Sequence, residues 1–248
     1  MNILHLRTHA FLGLLLLLTA TAACDSGDIA GQDYTVSESG KTVRLRMTVS
    51  GAGRLEEDLC LALAAYADDE KYATVQRVIP TATPDSTQVE LILGNLGDHI
   101  HTVALVLAGR LRDRILTLAD IDLTACADGD TLTTDLGPLT LDLYGCIQTG
   151  ILDQTCIQCH STSHQAARLN LSEGYSMEQL VGVPSTVRPH LLRVSPGQPQ
   201  ESLLHQVVAE DGSQAVGFNH TDLMSSQFKS NLAEVRWLID RWITSLEK

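Results

Sequence analysis

Within the five residues Cys156–Ile157–Gln158–Cys159–His160, the chain places three side chains that can bind a metal or form a covalent bond. With 6 cysteines and 9 histidines in 248 residues, composition alone would produce C-x-x-C-H about 0.005 times. Residues three apart share one face of a helical turn. Both thiols can therefore reach the two vinyl groups on one edge of a porphyrin, and the next residue can turn an imidazole under the iron. This spacing reads as covalent c-type haem attachment. It predicts one haem c held by Cys156 and Cys159, with His160 as a metal ligand. The second ring nitrogen of His160 should meet a hydrogen-bond acceptor that fixes its tautomer. Two other chemistries compete. A thioredoxin-like pair needs a βαβ context, which is missing around these residues. A zinc site needs a further ligand, for which His164 stands four residues beyond His160.

The compartment bears on that reading. Arg7 precedes the apolar run AFLGLLLLL, and the small residues TATAA follow, ending before Cys24. A basic start, a short apolar core and small residues make an export signal of residues 1–23, and the core is too short for a spanning helix. A retained anchor is the alternative. The stretch TAAC resembles the lipobox of bacterial lipoproteins, with Thr21 where leucine is usual. The resemblance implies lipidation of Cys24 and a chain exported and anchored to a bacterial membrane, facing the periplasm or the cell surface. Asp25 resembles an inner-membrane retention signal. No later stretch is apolar enough to cross a bilayer. Exported cysteines normally pair. With Cys24 lipidated and two thiols on haem, Cys60, Cys126 and Cys146 remain, allowing one disulfide (Cys60–Cys126 or Cys126–Cys146) and one free thiol.

The full chain carries a net charge of −13, and loss of residues 1–23 removes only Arg7. Residues 25–145 hold −11 of the remaining charge and residues 146–248 hold −3. Such an acidic chain is not a nucleic-acid binder. Its surface either solubilises the protein or steers a basic partner. Aromatic residues make up only 4 % of the chain, and a haem would supply a flat apolar group to a core short of them.

Two periods divide the elements that must position the motif. From Asp33 to Tyr144 the chain reads as strands. KTVRLRMTVS alternates, with Val43, Leu45, Met47 and Val49 on one side. DLCLALAAYA, YATVQRVI, TQVELILGNL, HTVALVLAG, RILTLADIDL and LTLDLYG follow, separated by polar turns. Seven evenly spaced strands predict an Ig-like, all-β antiparallel sandwich over residues 25–145. The neighbours of DLCLALAAYA favour strand over helix there. His99 and His101 would share a strand face without an evident third ligand, Met47 reads as core, and 68–70 as a solvated turn. Beyond Tyr144 the period becomes helical. Residues 147–160 form a short helix into the motif, and Ser176 with Gln179 makes a capping box. Asn231 and Glu234 open a last helix whose stripe is Leu232, Val235, Ile239, Trp242, Ile243 and Leu246.

Around the motif, a longer pattern emerges. CIQCH is followed by Leu169 and Leu171, then by Val181, Pro184 and Ser185, then by Pro196, Gly197, Pro199, Ser202 and Leu204, and lastly by Trp242 and Ile243. In that order these residues resemble the single-haem class I c-type cytochrome domain found on exported bacterial proteins, over residues 146–246. The resemblance implies an all-α C-terminal domain at 146–248, making the protein two-domain, with crossed first and last helices beside a haem crevice. It also implies an axial methionine 18 residues before Trp242, which is Met224. Ser225 stands after it where the family usually has proline. His220, in the same stretch, is the strongest rival; His190 and His205 are others. Met177 reads as core, and Arg188 and Arg193 as possible partners of haem propionates. The expected function is electron transfer, with other redox proteins and the membrane as partners and no nucleic acid. The alternatives are a binding or adhesion lipoprotein with an auxiliary haem domain, and a haem sensor or peroxidase with an open iron position.

Overall fold

In a computed structural model of the chain, the alternation of residues 41–50 becomes strand β1 (Lys41–Ser50), whose Val43, Leu45, Met47 and Val49 are at most 1 % exposed. The structure describes residues 40–67, 71–209 and 216–246. The export signal, Cys24, Asp25 and the 68–70 triplet lie outside the described residues. Strands β2 (Leu59–Ala67), β3 (Val75–Val78), β4 (Thr87–Leu96) and β6 (Arg114–Ile121) fall inside stretches read as strands, and β5 (Ile100–Gly109) starts one residue before its stretch. The seventh does not match its stretch. Strand β7 is Thr131–Thr140, and it ends where the Asp142 carboxylate accepts the Gly145 N–H at 2.9 Å and starts a helix. One sheet has the order β4-β1-β7 and the other β3-β2-β5-β6.

The fold expected from the sequence needs two corrections. The first concerns the all-antiparallel, Ig-like sandwich: β1 pairs with β7 in parallel. Alternation decides which face of a strand is buried, not its partner or its direction. The long chain between β1 and β7 leaves ample connection for a parallel pair.

The second correction concerns the all-α C-terminal domain of a two-domain protein. From Leu143 on, the described residues hold four short helices, α1 (Leu143–Ile147), α2 (Ser176–Leu180), α3 (Leu203–Val208) and α4 (His220–Phe228), and one of 14 residues, α5 (Leu232–Ser245). Much of the rest is loop tied by single bridges, such as Val181 with Val194 and Leu192 with Ser202. Proline at 184, 189, 196 and 199, with left-handed Gly182 and Gly197, keeps that stretch from continuing as helix. Nor does this half bury its apolar face alone. Cys146, Ile147, Ile151 and Leu152, with Val235, Leu238, Ile239, Trp242 and Ile243 of α5, join the same buried cluster as Leu45 and Leu105. Glu38–Lys248 is one compact unit.

Specific contacts lock the helices to the sheet. A Cβ at Gly150 would lie 2.9 Å from the Thr117 carbonyl oxygen of β6 and 2.7 Å from Leu116 Cγ, so a side chain there would force the backbones apart. Gln154 Nε2 donates to the Thr117 and Leu118 carbonyls of β6 at 3.3 and 3.1 Å. Lys71 Nζ lies 2.6 Å from Glu234. Arg241 of α5 bonds Glu56 and grips Asp58 through both Nη atoms at 2.7 Å. The guanidinium holds the Asp58 carboxyl below the usual carboxylate range. A carboxylate lowered in the folded state stabilises above its unfolded value, and this is lost as pH falls through the folded one. Arg241→Ala should therefore cost about 1 kcal/mol at pH 7, since the pair is partly exposed. That cost should shrink once the pH drops below the lowered Asp58 value. Urea unfolding of both proteins at neutral and acid pH measures the difference.

Candidate functional site

The Cys-His motif sits at the end of a broken helix. α1 gives way to one wide π-type turn at Gln148–Leu152, and Cys156–Gln158 is a separate tight turn. The continuous helix expected over 147–160 is thus interrupted. Tight bonding keeps the motif compact: the N–H groups of Cys159 and His160 donate to the Cys156 carbonyl at 3.2 and 3.0 Å.

A buried polar chain supports the turn from behind. Gln148, 5 % exposed, donates through Nε2 to Asp153 Oδ1 at 2.7 Å and to the Leu171 carbonyl at 3.0 Å. Its Oε1 accepts from the Ser176 hydroxyl, and the Tyr144 hydroxyl donates to Ser176 Oγ at 2.6 Å. Burial raises the Asp153 carboxyl above its ordinary value, against the Gln148 hydrogen bond. The Leu171 N–H returns to the His160 carbonyl at 2.6 Å. Ser176 is spent on this chain, so the expected capping box does not form; Tyr175 precedes α2 without a side-chain cap. Gln179 Oε1 instead accepts the Asn170 N–H at 2.8 Å. The ring of Tyr144 packs 4.8 Å from Trp242, joining the first helix to the last.

Cys156, Cys159, His160, Arg193, His220 and Met224 all line one crevice of about 350 Å³, whose remaining wall includes many leucines and valines between 169 and 223. That volume lies within the range of ligand pockets, which run from about 300 to 1,000 Å³. All five described cysteines are free thiols. Neither expected disulfide, Cys60–Cys126 or Cys126–Cys146, is formed: Cys126 Sγ lies 3.8 Å from the Ala127 and Asp130 carbonyls, Cys60 packs beside the outer-face cluster and Cys146 sits in the main core. Burial pushes the Cys156 thiol up to about 12. His160 Nδ1 lies 2.9 Å from the Ala166 carbonyl. Only a protonated Nδ1 can donate to a carbonyl, so Nε2 keeps the lone pair. Burial lowers the pKa of His160 and of His220.

Helix α4 supplies the opposite wall. Asn219 caps it, Oδ1 accepting the Asp222 N–H at 3.2 Å. The N-H-T-D spacing of residues 219–222 carries that signal, which the sequence reading missed. His220 and Met224 are four apart and share one face. Met224 is 3 % exposed and belongs to the core cluster. The His160 and His220 rings lie with their planes 7° apart and their centroids 6.4 Å apart.

The remaining candidates are elsewhere. His205 Nδ1 bonds Asp240 at 2.6 Å, and His190 is exposed. Met177, expected in the core, is 37 % exposed because α2 turns Ser176 and Leu180 inward. His99 lies in a turn, and His99 and His101 are both exposed. Among the described residues no three His, Cys, Asp or Glu side chains gather to hold a metal ion by themselves. His164, the further ligand a zinc reading would need, lines the same crevice as Cys156, Cys159 and His160. Arg193 is 8 % exposed; Nη1 and Nη2 donate to the Gln179 and Arg168 carbonyls at 2.9 and 3.2 Å. Among the described residues no carboxylate neutralises it, and burial lowers its pKa. A buried cation without a counter-charge on the wall of an apolar crevice suits an anionic ligand.

No protein-family model matches the chain, and neither does any curated protein or solved structure.

Proposed function

We propose that the protein is an exported electron carrier holding one covalent haem c. One observation carries this: both thiols of C-x-x-C-H and the His160 imidazole open into the same apolar crevice, with a second imidazole opposite. The donor set fits a porphyrin. Cys156 and Cys159 would hold its edge, His160 its iron, and Arg193 an anionic propionate. When bound, the haem supplies one-electron exchange between ferrous and ferric iron.

The chain's own residues do the rest. Ala166 fixes the His160 tautomer, which sets ligand basicity. The Gln148–Ser176–Tyr144 chain holds the motif turn from behind. The leucine and valine wall excludes water, and α4 closes the far side. The chain transforms no substrate in this reading. Its likeness to class I c-type cytochromes is one of motif order and site, not of an independent helical domain. Lipidation at Cys24 would fix it to a bacterial membrane, with other redox proteins as partners.

Mass spectrometry and pyridine haemochrome spectra of protein purified from a bacterium with haem-ligation machinery test the proposal. The expected result is one porphyrin, both motif thiols consumed, and reversible reduction. A porphyrin on neither thiol ends the reading.

A further inference from the structure

We infer that His220, rather than Met224, is the second axial ligand of the iron, so that the centre is a bis-histidine haem. The inference rests on the proposed haem reading and assigns its distal side. A metal–imidazole bond is about 2.0–2.1 Å and the ring centre lies about 1.1 Å behind the bonding nitrogen, so two imidazoles trans across one metal have centroids about 6.3 Å apart. The His160 and His220 centroids are 6.4 Å apart. Their planes lie 7° apart, and both rings line the same crevice.

Hydrogen bonding prepares both rings alike. His160 Nδ1 donates to the Ala166 carbonyl and His220 Nδ1 to the Phe218 carbonyl, at 2.9 and 3.2 Å. Each imidazole keeps the Nε2 lone pair for a metal and has its orientation fixed from behind. The Asn219 cap sets the first turn of α4, from which His220 projects, and Phe218 meets the His220 ring edge-on at 5.0 Å between centroids. Met224, a turn further on, is part of the buried cluster and serves as crevice wall. A nitrogen donor in place of a thioether lowers the reduction potential. The centre would thus be poised for low-potential partners.

Spectra of the ferric holoprotein and three variants decide the assignment. The native protein should lack the near-infrared band of sulfur-to-iron charge transfer. Its paramagnetic resonance should be the rhombic low-spin type of parallel imidazole planes. Met224→Leu should leave both unchanged. His220→Ala should lose the low-spin signal and bind carbon monoxide rapidly when reduced. His220→Met should gain the near-infrared band and a higher potential, which also shows that the crevice has folded. A native near-infrared band that vanishes in Met224→Leu and persists in His220→Ala overturns the inference while leaving the haem proposal standing. Protein without covalent porphyrin overturns both.

Discussion

Replacing Cys156 and Cys159 together by alanine should abolish the proposed covalent porphyrin: denaturing gels stained for haem should show a band for the native protein and none for the double variant. The effect is expected to be complete because no other described thiol lines the crevice. Cys146 is fully buried in the main core and Cys60 lies against the outer face of the larger sheet. Each single variant should keep one thioether and a shifted haemochrome maximum. His160→Ala should retain bound porphyrin while losing the low-spin spectrum, which separates attachment from ligation. Bound cofactor stabilises the folded state that binds it. The double variant should therefore melt like the haem-free native chain and below the holoprotein. Haem staining that survives in the double variant would place the attachment elsewhere.

Trp242→Ala should destabilise the protein by about 3–5 kcal/mol, the usual cost of deleting a fully buried large aromatic. Trp242 is 2 % exposed and packs 4.8 Å from Tyr144. Globular proteins are stable by only about 5–15 kcal/mol, so this variant should lose a large share of its stability. The damage should also reach the site. Tyr144 anchors the hydroxyl chain through Ser176 and Gln148 to the Leu171 carbonyl, and the Leu171 N–H holds the His160 carbonyl. Urea unfolding followed by circular dichroism measures the loss. Trp237→Ala is the control. Trp237 is 42 % exposed beneath the Arg241 guanidinium, and its removal should cost under about 1 kcal/mol. Equal costs for the two would mean that the junction of α1 and α5 does not hold the molecule together.

Some of this structure is legible in short stretches of chain. The Val43–Val49 alternation identifies β1 because a strand face repeats every two residues. The α5 stripe holds for the same reason at its own period, although its expected cap does not: Asn231 Nδ2 donates to the Arg114 carbonyl and Glu234 pairs with Lys71. Ser176 shows how such local signals fail. Its capping pattern is sound, but the buried Gln148 amide competes for the hydroxyl and wins, since a buried amide left unpaired costs more than an open helix end.

The sequence alone determined what five adjacent residues can do: C-x-x-C-H reads as an attachment site because its chemistry is contained in its own spacing. Tertiary structure decided everything that depends on distant segments meeting. It paired β1 with β7 in parallel, merged the helical half into the sandwich core, and brought α4 across the crevice so that His220 faces His160 from 60 positions away. Periodicity records which side of an element is apolar. It holds no record of which other element will cover that side, because that choice is made by the packing of the whole core.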